Sequence, residues 1–399
     1  DIYCIFYEKG LNLLKDKGIL CYITSNKWMR AGYGEKLRGY LADNCNPLKL
    51  IDYAGNKIFE SATVDVNTLI ACKEKNKGKT LAVTVDDGCT TNLSDYLQQH
   101  YSEIKFDSSD NWILLNPIET SIKNKIEQYG TPLSEWDIQI NYGIKTGYND
   151  AFIIDESTKN VLIASDPKSG ELIRPILRGK DIKKYSYDFA NLWIIDIPCG
   201  FTNINKKGKA EEWFSNSYNA IYTYLVKTEE ELSKNRSAKS KGLYKRDDQG
   251  DYWWELRSCK YMDDFFEQNI AWQRITRENT FCLTRENTVI LDSMAFINGA
   301  EEKTNYLLAV LNSSLVKFWM KKNVPEYGSS GYRFSNQFVT QIPIPYMPNQ
   351  EIKSKIEEYV NLFFEGKDTT AKIDELVYKL YNLKGSEIDY IKLEKYLSN

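Results

Sequence analysis

The sequence has very little histidine and no closely paired cysteines, and these shortages exclude several classes of site. The single histidine, His100, lies in a polar segment, so neither a histidine-rich metal site nor a histidine-based catalytic triad is expected. None of the eight cysteines forms a Cys-x-x-Cys pair, which argues against a zinc ribbon and predicts no metal. The cysteines are also too sparse for a disulfide scaffold, so we expect reduced thiols and a cytoplasmic location.

Long apolar runs are missing as well. No stretch approaches the roughly 20 consecutive apolar residues that cross a bilayer, so no membrane association is expected. The opening residues, DIYCIFYEKG, carry no signal-peptide pattern, and the chain lacks an initiating methionine, which predicts a piece of a longer protein. A length of 399 residues still suggests two or three domains, and an apolar fraction of 42% is ordinary for a globular chain.

Charge of one sign does not dominate the chain, whose net charge is −3, and this argues weakly against nucleic-acid binding. Basic residues nevertheless concentrate between positions 227 and 246. This segment contains seven basic residues and three acidic ones, Glu229 to Glu231. The seven are Lys227, Lys234, Arg236, Lys239, Lys241, Lys245 and Arg246. Such a patch can bind phosphates in a slightly acidic chain, but a solvated loop explains it equally well.

Hydrophobic periodicity over residues 1–75 predicts the order helix, strand, helix, strand, strand. The segments are 2–15, ILCYIT, YGEKLRGYLADN, KLIDYA and VNTLIACKE. This order is typical of the closing part of an α/β sheet domain. Residues 76–110 are polar and are expected to form a connector. GKT at 78–80 lacks the upstream glycine of a phosphate-binding loop, because Lys73 occupies that position.

The composition and the hydrophobic pattern change after residue 110. From 111 to 345, short aromatic-rich strands alternate with Gly, Asn and Asp turns, which predicts a mixed, mainly-β domain. One clear helix is expected over NYLLAVLNSSLVKFWMKKN, residues 305–323. Residues 346–399 have helical spacing and predict a short helical tail. The expected fold class is therefore α/β, followed by a mixed mainly-β domain and this tail.

Several segments, in order, resemble one family over nearly the whole chain. DIYCIFYEKGLNLLKDKGILCYITSNKWMRAGYGEKLRGYL is similar to the segment after the catalytic motif of TaqI-like, class γ DNA adenine-N6 methyltransferases, which include fused type IIG restriction–modification enzymes. IDYAGNKIFESATVDVNTLIACKE resembles the next block of that family. The pieces GIKTGYNDAFII, LIRPILRGKDIKKY, AWQRITREN and YRFSNQFVTQIPIP resemble its target-recognition domain. The residues that fit the first block are Asp1, Tyr3, Phe6, Gly18, Asn26, Lys27 and Trp28.

The resemblance implies four regions and a set of partners. Residues 1–75 would be the C-terminal part of a Rossmann-like methyltransferase sheet, 76–110 a connector, 111–345 a DNA target-recognition domain and 346–399 the helical tail. The parent enzyme would use S-adenosylmethionine to methylate an adenine that has left the DNA stack. Its partners would be double-stranded DNA and an N-terminal methyltransferase region, with or without a nuclease.

One departure limits what the resemblance implies. The family's catalytic tetrapeptide, Asn-Pro-Pro-Tyr, is absent, and neither Asn-Pro pair, at 46–47 or 116–117, continues as the motif requires. The glycine-containing cofactor motif is absent too, and the family places both motifs before Asp1. We therefore expect this chain to be a specificity portion that neither binds the cofactor nor transfers methyl groups alone.

The resemblance also implies roles for individual residues. Phe59 would stack on the flipped adenine, and Phe6 would pack against the adenine of S-adenosylmethionine. For each of these a place in the hydrophobic core is the competing interpretation. Three groups of hydrogen-bond donors, and two further single basic residues, are candidates for binding DNA phosphates or base edges. These candidates are Lys145, Tyr148, Asn149, Arg174, Arg178, Lys180, Lys241, Gln273, Arg274, Arg277 and Arg333.

Other functions fit parts of the composition. Nine Trp and 28 Tyr would suit a carbohydrate-binding module, and the helical tail would suit a protein-binding module. No pair of carboxylates stands out at the spacing of a glycoside hydrolase. The salt dependence of binding distinguishes these alternatives, because the affinity for DNA falls steeply with ionic strength whereas the affinity for sugars barely changes.

Overall fold

The structure is a computed structural model of the 399-residue chain, and it describes residues 1–54, 56–59, 64–85, 92–234, 241–324 and 331–397. The chain divides into two compact units. Unit 1 comprises Asp1–Tyr129, Phe318–Tyr327 and Tyr381–Asn399, and unit 2 comprises Gly130–Lys317 and Gly328–Leu380. Among the described residues, no helix combines the length and apolar character that spanning a membrane requires.

Unit 1 is built on a five-stranded sheet in the order β1-β3-β2-β4-β5. Its first elements follow the order that periodicity predicted for residues 1–75. They are α1 (Tyr3–Leu13), β1 (Ile19–Ser25), α2 (Glu35–Asn44), β2 (Asn46–Asp52) and β3 (Val66–Cys72). Strand β3 runs antiparallel to both of its neighbours, β1 and β2. Whether this sheet is the end of a Rossmann-like domain stays a prediction.

The expected connector, residues 76–110, differs from the prediction because part of it belongs to the sheet. It contains β4 (Thr80–Thr84), α3 (Leu93–His100) and β5 (Ser102–Ile104). Strand β4 pairs in parallel with β2, and Ala82 and Val83 are buried against it. The run TLAVT is short and lies between lysines and acidic residues. The polar composition of the whole segment therefore obscured its apolar, strand-forming residues.

The core of unit 1 is centred on Trp28, which is fully buried. Its ring lies 5.6 Å from that of Tyr7 and 5.3 Å from that of Trp112. Its indole Nε1 donates a hydrogen bond to Asn67 Oδ1 at 3.2 Å. Aromatic side chains of this size dominate the burial energy of a core, and the hydrogen bond satisfies the one polar atom of the indole. Trp28 therefore ties the turn after β1 to the neighbouring strand.

Unit 2 contains two four-stranded sheets, in the orders β14-β9-β10-β8 and β13-β11-β15-β7. It also contains two two-stranded pairs, β12 with β16 and β6 with β17. The strands are β6 (Thr131–Pro132), β7 (Gln139–Tyr142), β8 (Ile153–Asp155), β9 (Ile173–Leu177), β10 (Leu192–Ile195), β11 (Ile270–Gln273), β12 (Ile275–Thr276), β13 (Phe281–Leu283), β14 (Val289–Ile290), β15 (Met294–Asn298), β16 (Tyr332–Arg333) and β17 (Pro343–Ile344).

The mainly-β expectation for residues 111–345 has to be corrected, since this region is mixed α/β. Its helices are α4 (Pro117–Tyr129), α5 (Asn149–Phe152), α6 (Glu156–Ser165), α7 (Phe201–Asn205), α8 (Ala210–Ser217), α9 (Asn219–Ser233), α10 (Thr304–Leu311), α11 (Ser314–Asn323) and α12 (Asn336–Val339). Helix α9 buries Ile221, Leu225 and Glu229, which are spaced four residues apart. That helical spacing is present in the sequence, but the many aromatic residues around it favoured a strand prediction for the region.

The helix predicted over residues 305–323 is interrupted, and Asn312 explains the break. Its Nδ2 donates to Phe281 O at 2.9 Å, and its Oδ1 accepts from Phe281 N at 3.0 Å. The Ser313 hydroxyl donates back to Val310 O at 2.6 Å. These side chains compete with the helical backbone for hydrogen bonds. One predicted helix therefore becomes α10 and α11.

The helical character of residues 346–399 is as expected, but the three helices do not form a separate tail. They are α13 (Gln350–Phe364), α14 (Thr370–Leu380) and α15 (Gly385–Leu397). The first two group with unit 2, and α15 groups with unit 1. In unit 1, the buried Glu387 of α15 accepts hydrogen bonds from Ser121 Oγ at 2.6 Å and Lys125 Nζ at 2.7 Å on α4.

Candidate nucleic-acid interface

In unit 2, the C-terminal ends of four strands, β7, β9, β11 and β14, come together. Ile144 N donates to Ile290 O at 2.7 Å, and Asp292 N donates to Ile144 O at 3.0 Å. Leu291 N donates to Leu177 O at 3.0 Å, which links the end of β14 to the end of β9. Gly143 makes this approach possible, since a Cβ there would lie only 2.1 Å from Leu291 O.

The end of β11 joins the same group of segments. Arg274 N donates to Ser293 O at 3.1 Å, and Gly179 N donates to Ser293 Oγ at 3.4 Å. Gly179 also lies directly against Gln273, whose Cγ would be 2.8 Å from an added Cβ. We call residues 142–145, 178–181, 273–277 and 290–293 the strand-end face. Pairing of Ile275 with Arg333 in β16 extends this face.

The strand-end face therefore collects most of the residues that the sequence put forward for DNA binding. Lys145, Lys180, Arg277 and Arg333 are exposed, and Gln273 is half-buried. Within the described residues, the side chains of Lys145, Lys180, Gln273 and Arg333 make no hydrogen bond or ion pair with the protein. Exposed cations without protein partners attract phosphate groups and favour association with a polyanion.

A cleft of about 550 Å³ opens on the strand-end face. Four cationic side chains line it together with a single carboxylate, and these are Lys145, Arg257, Lys260, Arg274 and Asp292. Arg257 Nη1 contacts Asp248 Oδ1 at 3.1 Å. Sequence reasoning missed Arg257 and Lys260, although the short run RSCKY at 257–261 contains both. Nothing in that run reveals that it folds next to residues 142–145.

Arg274 is held in one orientation. Its guanidinium carbon lies 4.5 Å from the centroid of the Tyr142 ring, a cation–π contact. Its Nη1 donates to Asp292 O at 2.8 Å. A guanidinium fixed in this way loses little freedom when it binds a planar acceptor pair such as a guanine edge.

Two other arginine candidates are already engaged inside the protein. Arg174 Nε donates to the buried Asp196 Oδ2 at 2.8 Å, and burial raises the pKa of Asp196 while Arg174 opposes that shift. Arg178 binds Asp181 with both arms of its fork, at 3.0 and 2.9 Å. These pairs stabilise the ends of β9, so a DNA role for either arginine stays a prediction.

The two remaining candidates of the segment GIKTGYNDAFII, Tyr148 and Asn149, lie at the start of α5. Thr146 Oγ1 donates to Asn149 Oδ1 at 2.6 Å and accepts from Tyr148 N at 3.1 Å. Tyr148 packs partly buried against the core of unit 2, whereas Asn149 is exposed. DNA contacts by these two residues also stay predictions.

The basic run between 227 and 246 is not one surface patch. Arg246 is buried, burial lowers its pKa to about 10, and its Nε donates to Thr146 O at 2.9 Å. Lys241 is exposed and pairs with Asp247 Oδ1 at 2.5 Å. Arg236 and Lys239 lie outside the described residues. Lys241 therefore stays a separate prediction from the strand-end face.

In unit 1, the two predicted aromatic contacts are on the surface rather than in the core. Phe6 is 57% exposed and Phe59 is 43% exposed. Phe6 shares an exposed apolar face with Ile5 on α1, and Ile19 and Ile23 of β1 are exposed as well. The competing interpretation of both phenylalanines as core residues is therefore wrong. Their roles toward cofactor and base are left as predictions.

Both Asn-Pro pairs have structural explanations, which agrees with excluding them as catalytic motifs. Asn116 caps α4: its Oδ1 accepts from Glu119 N at 2.9 Å, and Glu119 Oε2 accepts from Asn116 N at 2.8 Å. This reciprocal arrangement is a capping box followed by proline at the first helical position. Asn46 donates to Glu74 Oε1 at 2.9 Å and accepts from Lys77 N at 3.1 Å.

Among the described residues, one acidic cluster has the geometry to hold a metal, Cys199 with Asp251 and Glu255. The Glu255 oxygens already accept backbone N–H bonds from Gly200, Thr202 and Asp251. The cluster thus fixes the start of α7 and has a structural explanation.

Comparison with known proteins identifies two family matches. The family described as Eco57I restriction-modification methylase matches residues 1–59, and the TaqI-like C-terminal specificity domain matches residues 174–344. The second match contains β11, β14, all but the first residue of β9, and the strand-end face apart from residues 142–145.

One relative matches nearly the whole chain, and another matches part of it. It is 21% identical over 421 residues to the type II methyltransferase M.BstVI of Geobacillus stearothermophilus, covering 98% of this chain and 69% of the relative. It is 28% identical over 160 residues to the type II restriction enzyme and methyltransferase RM.Eco57I of Escherichia coli, covering 39% and 16%.

A solved structure supports the fold. The type IIL restriction–modification enzyme MmeI, determined in complex with DNA, superposes with a TM-score of 0.60 at 13% identity. The match covers all of this chain and 52% of MmeI, so the chain spans about half of that enzyme. The chain is therefore similar to restriction–modification methylases over residues 1–59 and to a TaqI-like C-terminal specificity domain over residues 174–344.

Proposed function

We propose that the chain is the DNA-binding specificity portion of an S-adenosylmethionine-dependent DNA adenine-N6 methyltransferase, from a type II restriction–modification system. The observation that carries this proposal is the strand-end face. Four separate strand ends come together there and bring exposed donors with them, and three of the four lie within the segment that matches a specificity domain. Double-stranded DNA supplies both the phosphates and the base edges that such donors bind.

The residues of the strand-end face divide into two roles. Lys145, Lys180 and Arg333 are flexible, exposed cations, which suits contacts to the phosphate backbone. Gln273 and Arg274 present planar groups, and these chemistries match adenine and guanine edges in the major groove. Backbone contacts would set the register, and the planar side chains would read the sequence.

We infer that the exposed apolar face of α1 and β1 packs against an N-terminal methyltransferase region of the parent enzyme. Within the described residues, β1 is paired only through β3, so its other edge is open to a further strand. Exposed Ile5, Phe6, Ile19 and Ile23 would be covered in such an assembly.

The cofactor and the target base would then meet unit 1 through its two exposed phenylalanines. S-adenosylmethionine supplies the methyl group, and the exposed ring of Phe6 fits a contact with its adenine. Phe59 would stack on the flipped base, and such stacking contributes roughly 1–3 kcal/mol. The chain offers one aromatic contact to each ligand and lacks the catalytic tetrapeptide. Isothermal titration and a methyl-transfer assay should therefore show neither tight cofactor binding nor methylation by this chain alone.

The experiment that tests DNA binding is a salt titration by fluorescence anisotropy with a mixed-sequence duplex. Affinity should fall linearly on a log–log plot, with a slope of about −0.9 for each phosphate contacted. Lys180→Ala and Arg333→Ala should each reduce the magnitude of that slope by about one. Lys207→Ala is a matched control, because Lys207 is exposed between α7 and α8, outside the strand-end face. Binding that does not respond to salt would contradict the proposal.

A further inference from the structure

We propose that Arg274 and Asp292 together read one G·C base pair of the recognition sequence, Arg274 on the guanine and Asp292 on the cytosine. This inference rests on the proposed DNA-binding function and adds to it the identity of a base pair and of its two readers. It starts from the composition of the cleft, whose described lining residues include four cations and one carboxylate, Asp292.

A carboxylate is out of place in a cleft that binds only phosphates. Asp292 would repel a phosphate group and weaken the attraction of its cationic neighbours. Within the described residues, its carboxylate makes no hydrogen bond or ion pair, so it does not serve to hold a neighbouring cation in place. A carboxylate does match the amino group of cytosine N4, which is a donor on the major-groove edge.

Arg274 would recognise the other base of the same pair, the guanine. The Tyr142 ring and the Asp292 carbonyl fix its guanidinium, and its Nε is buried without a partner, so only the outer nitrogens can reach a ligand. An arginine fork pairs with guanine O6 and N7. Adenine offers a donor where guanine has O6, so the same fork rejects an A·T pair in this orientation.

The backbone places the two side chains side by side. Arg274 N donates to Ser293 O, and Arg274 Nη1 donates to the carbonyl of Asp292 itself. Both side chains line the same cleft. A G·C pair presents its guanine acceptors and its cytosine donor next to each other on one edge, which is the arrangement these two neighbours require.

The test is a selection of duplexes from a randomised pool, followed by affinity measurements on the selected site and on its single-position variants. The proteins compared are the 399-residue chain and its variants Arg274→Ala, Arg274→Lys and Asp292→Ala. Lys145→Ala is the control, because Lys145 lines the same cleft and its loss should weaken all sequences equally. Circular dichroism melting confirms that each variant is folded.

The chain should prefer G·C at one position by about 5- to 150-fold over the other pairs. Both alanine variants should lose that preference and keep the preferences at other positions. Their effects on non-specific duplexes should have opposite signs: Arg274→Ala weakens binding, whereas Asp292→Ala strengthens it by removing a negative charge. Arg274→Lys should keep non-specific affinity and still lose the preference, since an ammonium lacks the fork.

Three results would overturn the inference in different ways. If Arg274→Ala and Asp292→Ala scale all affinities uniformly, the two residues contact phosphates or only shape the cleft, while the DNA-binding proposal stands. If the two variants relax different positions, they do not read one base pair. If the unaltered chain binds no duplex at low salt, the proposed function itself fails.

Discussion

At the scale of single residues, Gly143 is the position where the strand-end face tolerates least change. Gly143→Ala would place a Cβ 2.1 Å from the carbonyl oxygen of Leu291, and backbone atoms cannot rotate away as a side chain can. We expect a loss of about 3 kcal/mol in the free energy of unfolding, measured by urea denaturation. Gly170→Ala is the control, because its nearest neighbour, Ile163 Cδ1, would be 3.8 Å away. Equal stability of both variants would show that residues 143 and 291 are not in contact.

The Arg174–Asp196 pair gives a prediction that depends on pH. Asp196 is buried, and burial raises its pKa while Arg174 acts against that shift. Arg174→Ala removes the opposing charge, so the pKa of Asp196 should rise further. Because burial raises the folded pKa of Asp196, ionising this carboxyl costs stability as the pH rises through that pKa, and Arg174 offsets part of the cost. The offset exists only while Asp196 is ionised, so it disappears as the pH falls through the folded pKa.

Arg174→Ala should accordingly cost about 3 kcal/mol of unfolding free energy at neutral pH and less in mildly acidic buffer. Urea unfolding at the two pH values measures this difference. The control is Lys183→Ala, whose partner Asp188 is exposed, and its cost should be much smaller at both pH values. A penalty for Arg174→Ala that grows as the pH falls would contradict the assignment of this pair as structural.

At the scale of elements, Glu387 attaches α15 to α4. Burial alone would raise the pKa of Glu387, but hydrogen bonds from Lys125 Nζ, Lys384 N and Ser121 Oγ outweigh it, and the pKa is lowered. A carboxyl with a lowered pKa stabilises the fold above its unfolded pKa and loses that contribution as the pH falls through its folded pKa.

Glu387→Gln should therefore destabilise the chain by about 2 kcal/mol at neutral pH, and the variant and the unaltered chain should converge in acid. Urea unfolding measures the loss, and limited proteolysis near residues 381–384 should be faster in the variant. Glu127→Gln on α4 is the matched control, since its pair with Lys123 is exposed at 3.5 Å. If the two variants behave alike, Glu387 does not hold α15.

Some of the helices and strands could be predicted from the sequence, and others could not. Continuous apolar runs such as ILCYIT reveal their strands, and the order of elements in residues 1–75 followed from such runs. The interruption at Asn312 did not, because it depends on hydrogen bonds to Phe281, which is 31 positions away. Strand β4 was missed for a related reason: its five residues become a strand through pairing with β2.

At the scale of the whole molecule, the net charge of −3 conceals a local arrangement of cations. Lys145, Lys180 and Arg274 come from three separate segments, and each was found in the sequence as a polar turn or as part of a family-like motif. Their convergence depends on backbone contacts such as Ile144 to Ile290 and Leu291 to Leu177, which no local pattern encodes. The sequence therefore put forward individual cations of this face, whereas it did not predict the cleft or its lining residues Arg257, Lys260 and Asp292.

The central claim is that the strand-end face binds double-stranded DNA. The most direct measurement is hydrogen–deuterium exchange of the chain with and without a duplex at low salt. We predict slower exchange in residues 142–145, 178–181, 257–261, 273–277 and 290–293, with α8 and α9 unchanged. Protection confined to α8 and α9, or no protection of these five segments when the duplex is bound, would contradict the account.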